Sequence, residues 1–200
     1  MPHEIDSFDN RVIESYRSNL KTFVHINEHM FSLLNSKEER LLETLCIFPT
    51  REFTVSGLSR ETDLSKGLVS NKISRLDEEN LVNVEKRGNQ KVISFNRGNN
   101  DALKLKQLIN LNNLYSSEVI DDLIDLYNYP EAIVLFGSFA NGEDTENSDI
   151  DVAVITSENI NYENSIMDRP VSVKEFNNNI TENMLESLAN GITIYGYLEV

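Results

Sequence analysis

The chain has 200 residues, of which 40% are hydrophobic and 26% are charged, and its formal net charge is −15. This composition predicts one or two ordinary globular domains. Because no apolar run approaches membrane-spanning length and the acidic N-terminus lacks the features of a signal peptide, we expect a cytoplasmic protein that does not bind membranes.

The charge is distributed unevenly along the chain. Residues 36–98 carry 11 of the 18 basic residues, whereas residues 99–200 carry 4 basic and 18 acidic residues. Nucleic acid is an anion, so the first segment can approach a phosphate backbone, and the second should repel it unless metal ions neutralise its charge. We therefore predict two domains with different partners.

Residues 1–35 are predicted to form an N-terminal helical extension. Apolar residues recur at helical spacing between about Asn10 and Leu34, which indicates one long amphipathic helix. Its apolar stripe is a reasonable dimerisation surface, and a homodimer is therefore one hypothesis for the assembly.

The pattern of residues 36–100 predicts a winged helix-turn-helix domain. Ser36 and Glu39 form a capping-box pattern at the start of a first helix. A second helix is predicted over residues 55–62, and a third over residues 65–79 with Ser65 as its N-cap.

A hairpin is predicted after the third helix. Asn80 suits a left-handed position at the helix end, and alternating apolar residues at 81–85 and 91–95 predict two strands. The residues between them, 86–90, form a basic hairpin tip. Helix, helix, helix and hairpin is the order of a winged helix, and the segment resembles bacterial and archaeal winged-helix transcriptional regulators.

In that motif the third helix enters the major groove of double-stranded DNA. The resemblance therefore implies base-reading and phosphate-contacting residues, with the basic ones making binding salt-dependent. The predicted base readers are Lys66, Ser70, Asn71 and Ser74, and the predicted phosphate contacts are Lys72, Arg75, Lys86, Arg87 and Lys91. Use of the winged helix for dimerisation or for gripping a partner protein is the alternative.

The C-terminal half begins with two predicted helices, a linker helix over residues 101–116 and a second helix over 117–127. An apolar strand at Ile133–Phe136 then stops at Gly137-Ser138. A glycine lets the backbone approach a phosphate closely, and amides at a helix N-terminus point donors at it.

A second apolar strand carries two carboxylates at its start. Asp149 and Asp151 lie two residues apart, so they share one face of the strand while Ile150 turns into the core. Paired carboxylates suit a hard divalent cation such as Mg²⁺. The alternative is a strand-start pair in an acidic loop, with Asp144 and Glu146 as further members of that loop.

At these residues the chain resembles the polymerase-β-type nucleotidyltransferases, specifically their minimal branch. The matching positions are Gly137, Ser138, Gly142, Ser148, Asp149 and Asp151. The resemblance covers residues 117–200, including a closing strand at 191–196. It implies that Asp149 and Asp151 bind metal and catalyse, that Gly137, Ser138 and Ser148 bind nucleotide, and that up to two Mg²⁺ ions act on an NTP substrate. Minimal nucleotidyltransferases often act beside a small helical partner protein, and the resemblance is compatible with one here.

The chain departs from the family at one position. Family members commonly carry a third carboxylate on a later strand, and Ser172 stands at the matching place. A hydroxyl adds no negative charge to a metal site and is a poor base at neutral pH. Asp168 and Glu175 are nearby alternatives, although Glu175 would face the other side of the strand.

The sequence thus predicts an α+β chain, in which a winged helix-turn-helix domain precedes a nucleotidyltransferase-like α/β domain with a small mixed sheet. Two functions are compatible with it. One is Mg²⁺-dependent transfer of a nucleoside monophosphate from an NTP to a hydroxyl acceptor, coupled to DNA binding. The other is a DNA-binding transcriptional regulator whose nucleotidyltransferase-like domain is inactive and binds a nucleotide or a partner.

Overall fold

A computed structural model describes residues 39–176, 188 and 190–197. The chain forms two compact units, residues 1–42 and residues 43–200. The helix predicted between residues 10 and 34 and the Ser36 cap lie outside the described residues. Among the residues that are described, no helix combines the length and apolar character that a membrane crossing requires.

Residues 39–95 form helices and a small antiparallel sheet in the order of a winged helix-turn-helix. The sheet has the strand order β1-β3-β2, with both pairings antiparallel. The α+β prediction is confirmed for this part of the chain. The elements are α1 (Glu39–Ile47), β1 (Phe53–Thr54), α2 (Val55–Thr62), α3 (Lys66–Glu78), β2 (Val82–Arg87) and β3 (Gln90–Phe95).

Local turn chemistry positions α3 as the sequence predicts. Asp63 adopts a left-handed conformation with φ 56° between α2 and α3. The Ser65 hydroxyl accepts a hydrogen bond from the amide of Leu68 at 3.3 Å, which caps the helix. Asn80 follows the helix with φ 57°, a conformation that asparagine tolerates better than most residues. The apolar face of α3 is buried through Val69, Ile73 and Leu76.

Two details of the wing differ from the prediction. The hairpin strands pair as far as Arg87 and Gln90, so the turn is shorter than predicted, and Lys86 and Arg87 lie on β2. Strand β1 was not predicted, because two residues are too few for an alternating pattern to be visible. It forms because Phe53 pairs with Ile93 of β3.

Residues 100–176 and 190–196 form the C-terminal α/β region. Its sheet has the order β6-β7-β5-β4-β8, in which only β5 and β7 run parallel among the described pairings. This is the small mixed sheet that the sequence predicts. The elements are α4 (Asn100–Tyr115), α5 (Val119–Leu126), β4 (Ala132–Phe136), α6 (Gly137–Asn141), β5 (Ile150–Ile155), β6 (Ser165–Ile166), β7 (Arg169–Phe176) and β8 (Ile192–Gly196).

The strand alternation divides the apolar residues between two faces of this sheet. On one face, Ile133, Leu135 and Val152 belong to a core cluster that also contains Val119 and Leu123 of α5. Helix α5 therefore packs on this face of the sheet. The opposite face carries a second cluster, which consists of Ala132, Val134, Phe136, Ala153, Ile155 and Leu188.

Helix α4 holds the short helix α6 at its C-terminal end. Gly142 ends α6 with φ +72°, and a Cβ there would lie 2.2 Å from the carbonyl oxygen of Leu103 in α4. The side chains of Gln107 and Asn110 donate to the carbonyls of Ala140 (2.6 Å) and Phe139 (2.9 Å). These bonds satisfy backbone acceptors that every helix end exposes. Helix α6 is thereby placed at the end of β4.

Candidate active site

The two predicted carboxylates flank Ile150, the buried first residue of β5. Ile150 between them is fully buried, whereas Asp149 is exposed and the Asp151 side chain is 28% exposed. This alternation is the period-two geometry of a strand with one face in the core. Both carboxylates are therefore accessible to a solvent-borne cation or ligand.

The Gly137-Ser138 turn lies against one of these carboxylates. Phe136 pairs with Asp151 across β4 and β5, and Gly137 follows directly with φ +74°. A Cβ at Gly137 would lie 2.9 Å from Asp151 Oδ2, so both the conformation and the space favour glycine. The carbonyl of Ser138 accepts from the amide of Asp144 at 3.2 Å and so ties the following loop to the turn.

Ser172 lies beside Asp151 on the neighbouring parallel strand, at the position where the resemblance places a third acid. The two alternatives do not replace it. Glu175 faces the other side of the sheet and accepts hydrogen bonds from Tyr127 Oη and the amide of Ile160, both at 2.7 Å. Asp168 is exposed in the turn between β6 and β7, with φ 60°.

Lys174 is a member of the site that the sequence analysis missed. Its Nζ lies 3.5 Å from Asp151 Oδ1 and 5.0 Å from the centroid of the Phe136 ring. Lys174 is two residues beyond Ser172 on β7, so strand alternation alone could have placed it on the same face. A cation thus sits next to Asp151 on the side of the strand that lacks the third carboxylate.

Asp144, which the sequence analysis treated only as a member of an acidic loop, is the centre of a buried charge cluster. The side chain is fully buried, and its Oδ2 accepts from Lys106 Nζ and Arg169 Nη1, both at 2.7 Å. Its Oδ1 accepts from Asn110 Nδ2 at 2.7 Å. Burial lowers the pKa of Lys106, although the neighbouring Asp144 carboxylate acts in the opposite direction.

This cluster joins three elements around the loop that leads to the carboxylates. Lys106 and Asn110 come from α4, Asp144 from the loop itself, and Arg169 from the start of β7. Arg169 also donates from Nε to the carbonyl of Ser148 at 2.9 Å and lies over the Phe139 ring at 4.9 Å. The cluster therefore fixes the chain immediately before Asp149.

The hydroxyl of Ser148, a predicted nucleotide ligand, lies within this loop. It accepts from the amide of Thr145 at 3.0 Å and is 3.1 Å from the Thr145 hydroxyl. In this structure its hydrogen bonds shape the turn that precedes β5.

The same loop also contacts the winged-helix segment. Thr50 Oγ1 donates to Glu146 Oε1, and Arg97 Nη2 donates to the carbonyl of Glu143 at 3.0 Å. The loop between α6 and β5 is therefore bounded by residues from both halves of the 43–200 unit.

The predicted DNA-contacting residues are placed unequally. Most of them are exposed on α3 and the wing and form no ion pair among the described residues; these are Lys66, Asn71, Ser74, Arg75, Lys86 and Lys91. Ser70 is half-buried. The Ser74 hydroxyl donates to the carbonyl of Ser70 at 3.0 Å.

Two of the predicted phosphate contacts need correction. Lys72 is only 4% exposed, because it faces inward between Val69 and Leu76 on the buried side of α3. Arg87 is exposed, but its guanidinium forms a bidentate pair with Glu52 at 2.6 and 2.7 Å and also contacts Glu85 at 2.9 Å. Lys72 is therefore not a phosphate contact in this structure, and the charge of Arg87 is already matched by carboxylates.

The residues around Asp149 suit a metal site that water and substrate complete better than a site whose ligands all come from the protein. Within the part of the chain that the structure describes, no group of three or more His, Cys, Asp or Glu could hold a metal ion. Two carboxylates, with water and substrate phosphates completing the coordination, are a common arrangement for Mg²⁺. Asp149 and Asp151 meet that requirement, and Ser172 adds no charge.

Comparison with known proteins agrees with the motif assignment. Residues 118–199 match the family model described as polymerase beta, nucleotidyltransferase. This part of the chain is thus a nucleotidyltransferase domain of the polymerase-β type, as the sequence motifs predict. No protein of curated function matches the chain significantly in sequence.

Among the solved structures similar to the chain, one is described as a winged helix-turn-helix DNA-binding domain. NolR from Sinorhizobium fredii is 18% identical, with a TM-score of 0.34, over 55% of this chain and 91% of that chain. The homodimeric winged helix-turn-helix DNA-binding domain of Mb0332 from Mycobacterium bovis is 15% identical, with a TM-score of 0.37, over 59% and 94%. Reduced HlyU from Vibrio cholerae is 24% identical, with a TM-score of 0.34, over 47% and 97%. These likenesses are weak, and the element order of residues 39–95 carries the fold assignment by itself.

Proposed function

We propose that the polymerase-β-type domain of this chain binds a nucleoside triphosphate with Mg²⁺ and transfers a nucleoside monophosphate to a hydroxyl acceptor, while the winged helix binds double-stranded DNA. The proposed division is an extension at residues 1–35, a winged helix at 36–100, a linker helix at 101–116 and a nucleotidyltransferase domain at 117–200. Asp149 and Asp151 are the proposed metal-binding and catalytic residues, and Gly137, Ser138 and Ser148 are the proposed nucleotide-binding residues.

In this proposal each residue of the site has one task. Bound Mg²⁺ would neutralise charge on the triphosphate and on the leaving pyrophosphate. Asp149 and Asp151 would hold it, the Gly137-Ser138 turn would let the backbone approach the phosphates, and Ser148 would bind the nucleotide from the loop before β5. The acceptor oxygen forms a bond to the α-phosphorus as the bond from that phosphorus to the bridging oxygen breaks. Pyrophosphate leaves with the electron pair, and the acceptor proton passes to water, because the Ser172 hydroxyl is a poor base.

The observation that supports this proposal is that Asp149 and Asp151 are accessible on either side of the buried Ile150, with Gly137 packed against Asp151. The test is calorimetric titration of the full chain with Mg²⁺-ATP and with the other NTPs in parallel. We expect binding that needs Mg²⁺ and that disappears in Asp149→Asn/Asp151→Asn.

Asp168→Asn is the matched control for this titration, because Asp168 is an exposed carboxylate in a turn and asparagine also accepts its positive φ. It should bind like the wild type. Transfer itself is measured with α-labelled NTP and candidate acceptors. Wild-type protein that bound no NTP would contradict the proposal.

A second candidate function is a DNA-binding transcriptional regulator whose nucleotidyltransferase domain binds nucleotide or a partner without chemistry. Ser172, which stands beside Asp151 in place of an acid, favours it. Loss of a single catalytic donor commonly costs about 10²- to 10³-fold in rate, and fold alone is poor evidence for activity. NTP binding without transfer of α-label to any acceptor would favour this candidate.

The DNA-binding part of the proposal depends on the exposed residues of α3 and the wing. Arg75→Ala should weaken binding to all duplexes and reduce the slope of affinity against salt by about one ion, whereas Asn71→Ala should change sequence preference. Lys104→Ala, which removes an exposed lysine from α4, is the control of equal charge and should leave DNA affinity unchanged. Unchanged affinity in both α3 variants would assign the winged helix to protein contacts.

Two partners belong to the same proposal. The apolar stripe of residues 1–35 would support a homodimer, and the minimal-nucleotidyltransferase resemblance is compatible with a small helical partner protein. Size-exclusion chromatography with light scattering tests the first, and a purely monomeric chain would contradict it.

A further inference from the structure

The sheet face that carries Asp151 also carries a cation. Phe136, Asp151 and Ser172 are neighbours across β4, β5 and β7, as the strand registers show. Lys174 is on the same face of β7, and its Nζ lies 3.5 Å from Asp151 Oδ1. The ammonium also lies over the Phe136 ring at 5.0 Å, which gives it a second attractive contact.

This arrangement limits the number of metal ions. Two divalent cations in one site stand about 3.5–4 Å apart and need several carboxylates to offset their mutual repulsion. Here Asp149, Asp151 and Lys174 together carry a net charge of −1, from two carboxylates and one ammonium. The Lys174 ammonium also occupies one side of the carboxylate that a second ion would have to share. A net charge of −1, together with the charge of the bound triphosphate, is enough to hold one divalent cation.

We infer that the site takes a nucleoside triphosphate with a single divalent cation, and that the Lys174 ammonium supplies the second positive charge. The inference rests on the proposed function. Lysine acts as a compact point charge on a flexible stem, and it is a common phosphate ligand. Because the Lys174 side chain is 47% exposed, its ammonium can turn towards a bound triphosphate without leaving the neighbourhood of Asp151.

The first test counts metal ions on the full chain. Equilibrium dialysis and electron paramagnetic resonance with Mn²⁺ and α,β-methylene-ATP, which resists transfer, should return one Mn²⁺ per chain for the wild type. Ser172→Asp/Lys174→Gln restores an acid and removes the ammonium, and it should return two. Both positions lie at the open face, and a thermal unfolding curve checks that the double variant is folded.

The second test measures nucleotide affinity in EDTA. Wild-type protein should keep measurable affinity for α,β-methylene-ATP without metal, and Lys174→Gln should lose at least about tenfold, the lower end of the effect of a hydrogen bond to a charged group. Lys104→Gln, an exposed lysine on α4, is the control and should bind like the wild type.

The outcomes separate this inference from the proposed function. Two Mn²⁺ ions on the wild type, or unchanged metal-free affinity in Lys174→Gln, would overturn the inference while leaving nucleotide binding intact. A wild-type chain that binds the analogue neither with Mn²⁺ nor without it would overturn the proposed function itself.

Discussion

Three aspartates within eight residues of one another have opposite environments. Asp144 is buried, and its two oxygens accept hydrogen bonds from Lys106, Arg169 and Asn110. Asp149 is exposed, and Asp151 has a single described side-chain partner, the ammonium of Lys174 at 3.5 Å. A carboxylate whose acceptor sites are filled by the protein stabilises the structure, whereas a carboxylate left open can serve a ligand. The difference separates the structural acid from the candidate functional ones.

The largest expected effect is a loss of stability when the buried Asp144 is changed. Asp144→Asn leaves the buried Lys106 and Arg169 without their counter-charge, and we expect it to lower the free energy of unfolding by about 3–5 kcal/mol. Asp149→Asn changes an exposed group and should stay within about 0.5 kcal/mol of the wild type. Urea unfolding followed by circular dichroism compares the two. Equal losses in the two variants would remove the distinction.

The two glycines at the ends of α6 should likewise differ, with Gly142 acting mainly on stability and Gly137 mainly on nucleotide affinity. The positive φ of +72° at Gly142 alone costs alanine about 1–3 kcal/mol, and a Cβ there would also overlap the Leu103 carbonyl at 2.2 Å, so Gly142→Ala should lower the free energy of unfolding by at least that amount. A Cβ at Gly137 would instead lie 2.9 Å from Asp151 Oδ2. Gly137→Ala should therefore reduce nucleotide affinity more than Gly142→Ala does. Calorimetry at a temperature where both variants are folded measures this, and the reverse order of affinities would count against the site.

The smallest expected effect concerns Cys46, whose thiol is influenced by the charges of Lys106 and Asp144. Burial raises its pKa from 9.0 to about 12. Between these two pKa values the folded chain keeps the thiol proton while the unfolded chain loses it. The contribution of the buried thiol to stability is therefore complete below the pKa of the unfolded chain, and it falls as the pH rises towards the pKa of the folded chain. Unfolding at about pH 8 and about pH 10.5 should show a steeper loss for the wild type than for Cys46→Ala. Parallel losses would show that the thiol ionises normally in the folded chain.

Much of the architecture was predictable because it follows local rules. The second and third helices, the Ser65 cap and the left-handed Asn80 appear where residue type and periodicity place them, and the closing strand at Ile192–Gly196 appears where the family resemblance implies it. The short strand β1 and the burial of Lys72 were not predicted. Both depend on tertiary packing, because β1 forms by pairing with β3 and Lys72 lies on the packed side of α3. The candidate site was predictable as far as Asp149, Asp151 and Gly137, which share one segment.

The nucleotidyltransferase motif and the winged-helix order can be read from residue types along the chain, and the alternation of Asp149, Ile150 and Asp151 follows from the period of a strand. The burial of Asp144 between α4 and β7, and the approach of Lys174 rather than an acid to Asp151, depend on packing between distant segments. Those contacts join residues between 23 and 38 positions apart in the chain. Such pairs are set by strand register and helix packing, which no local pattern of residues encodes.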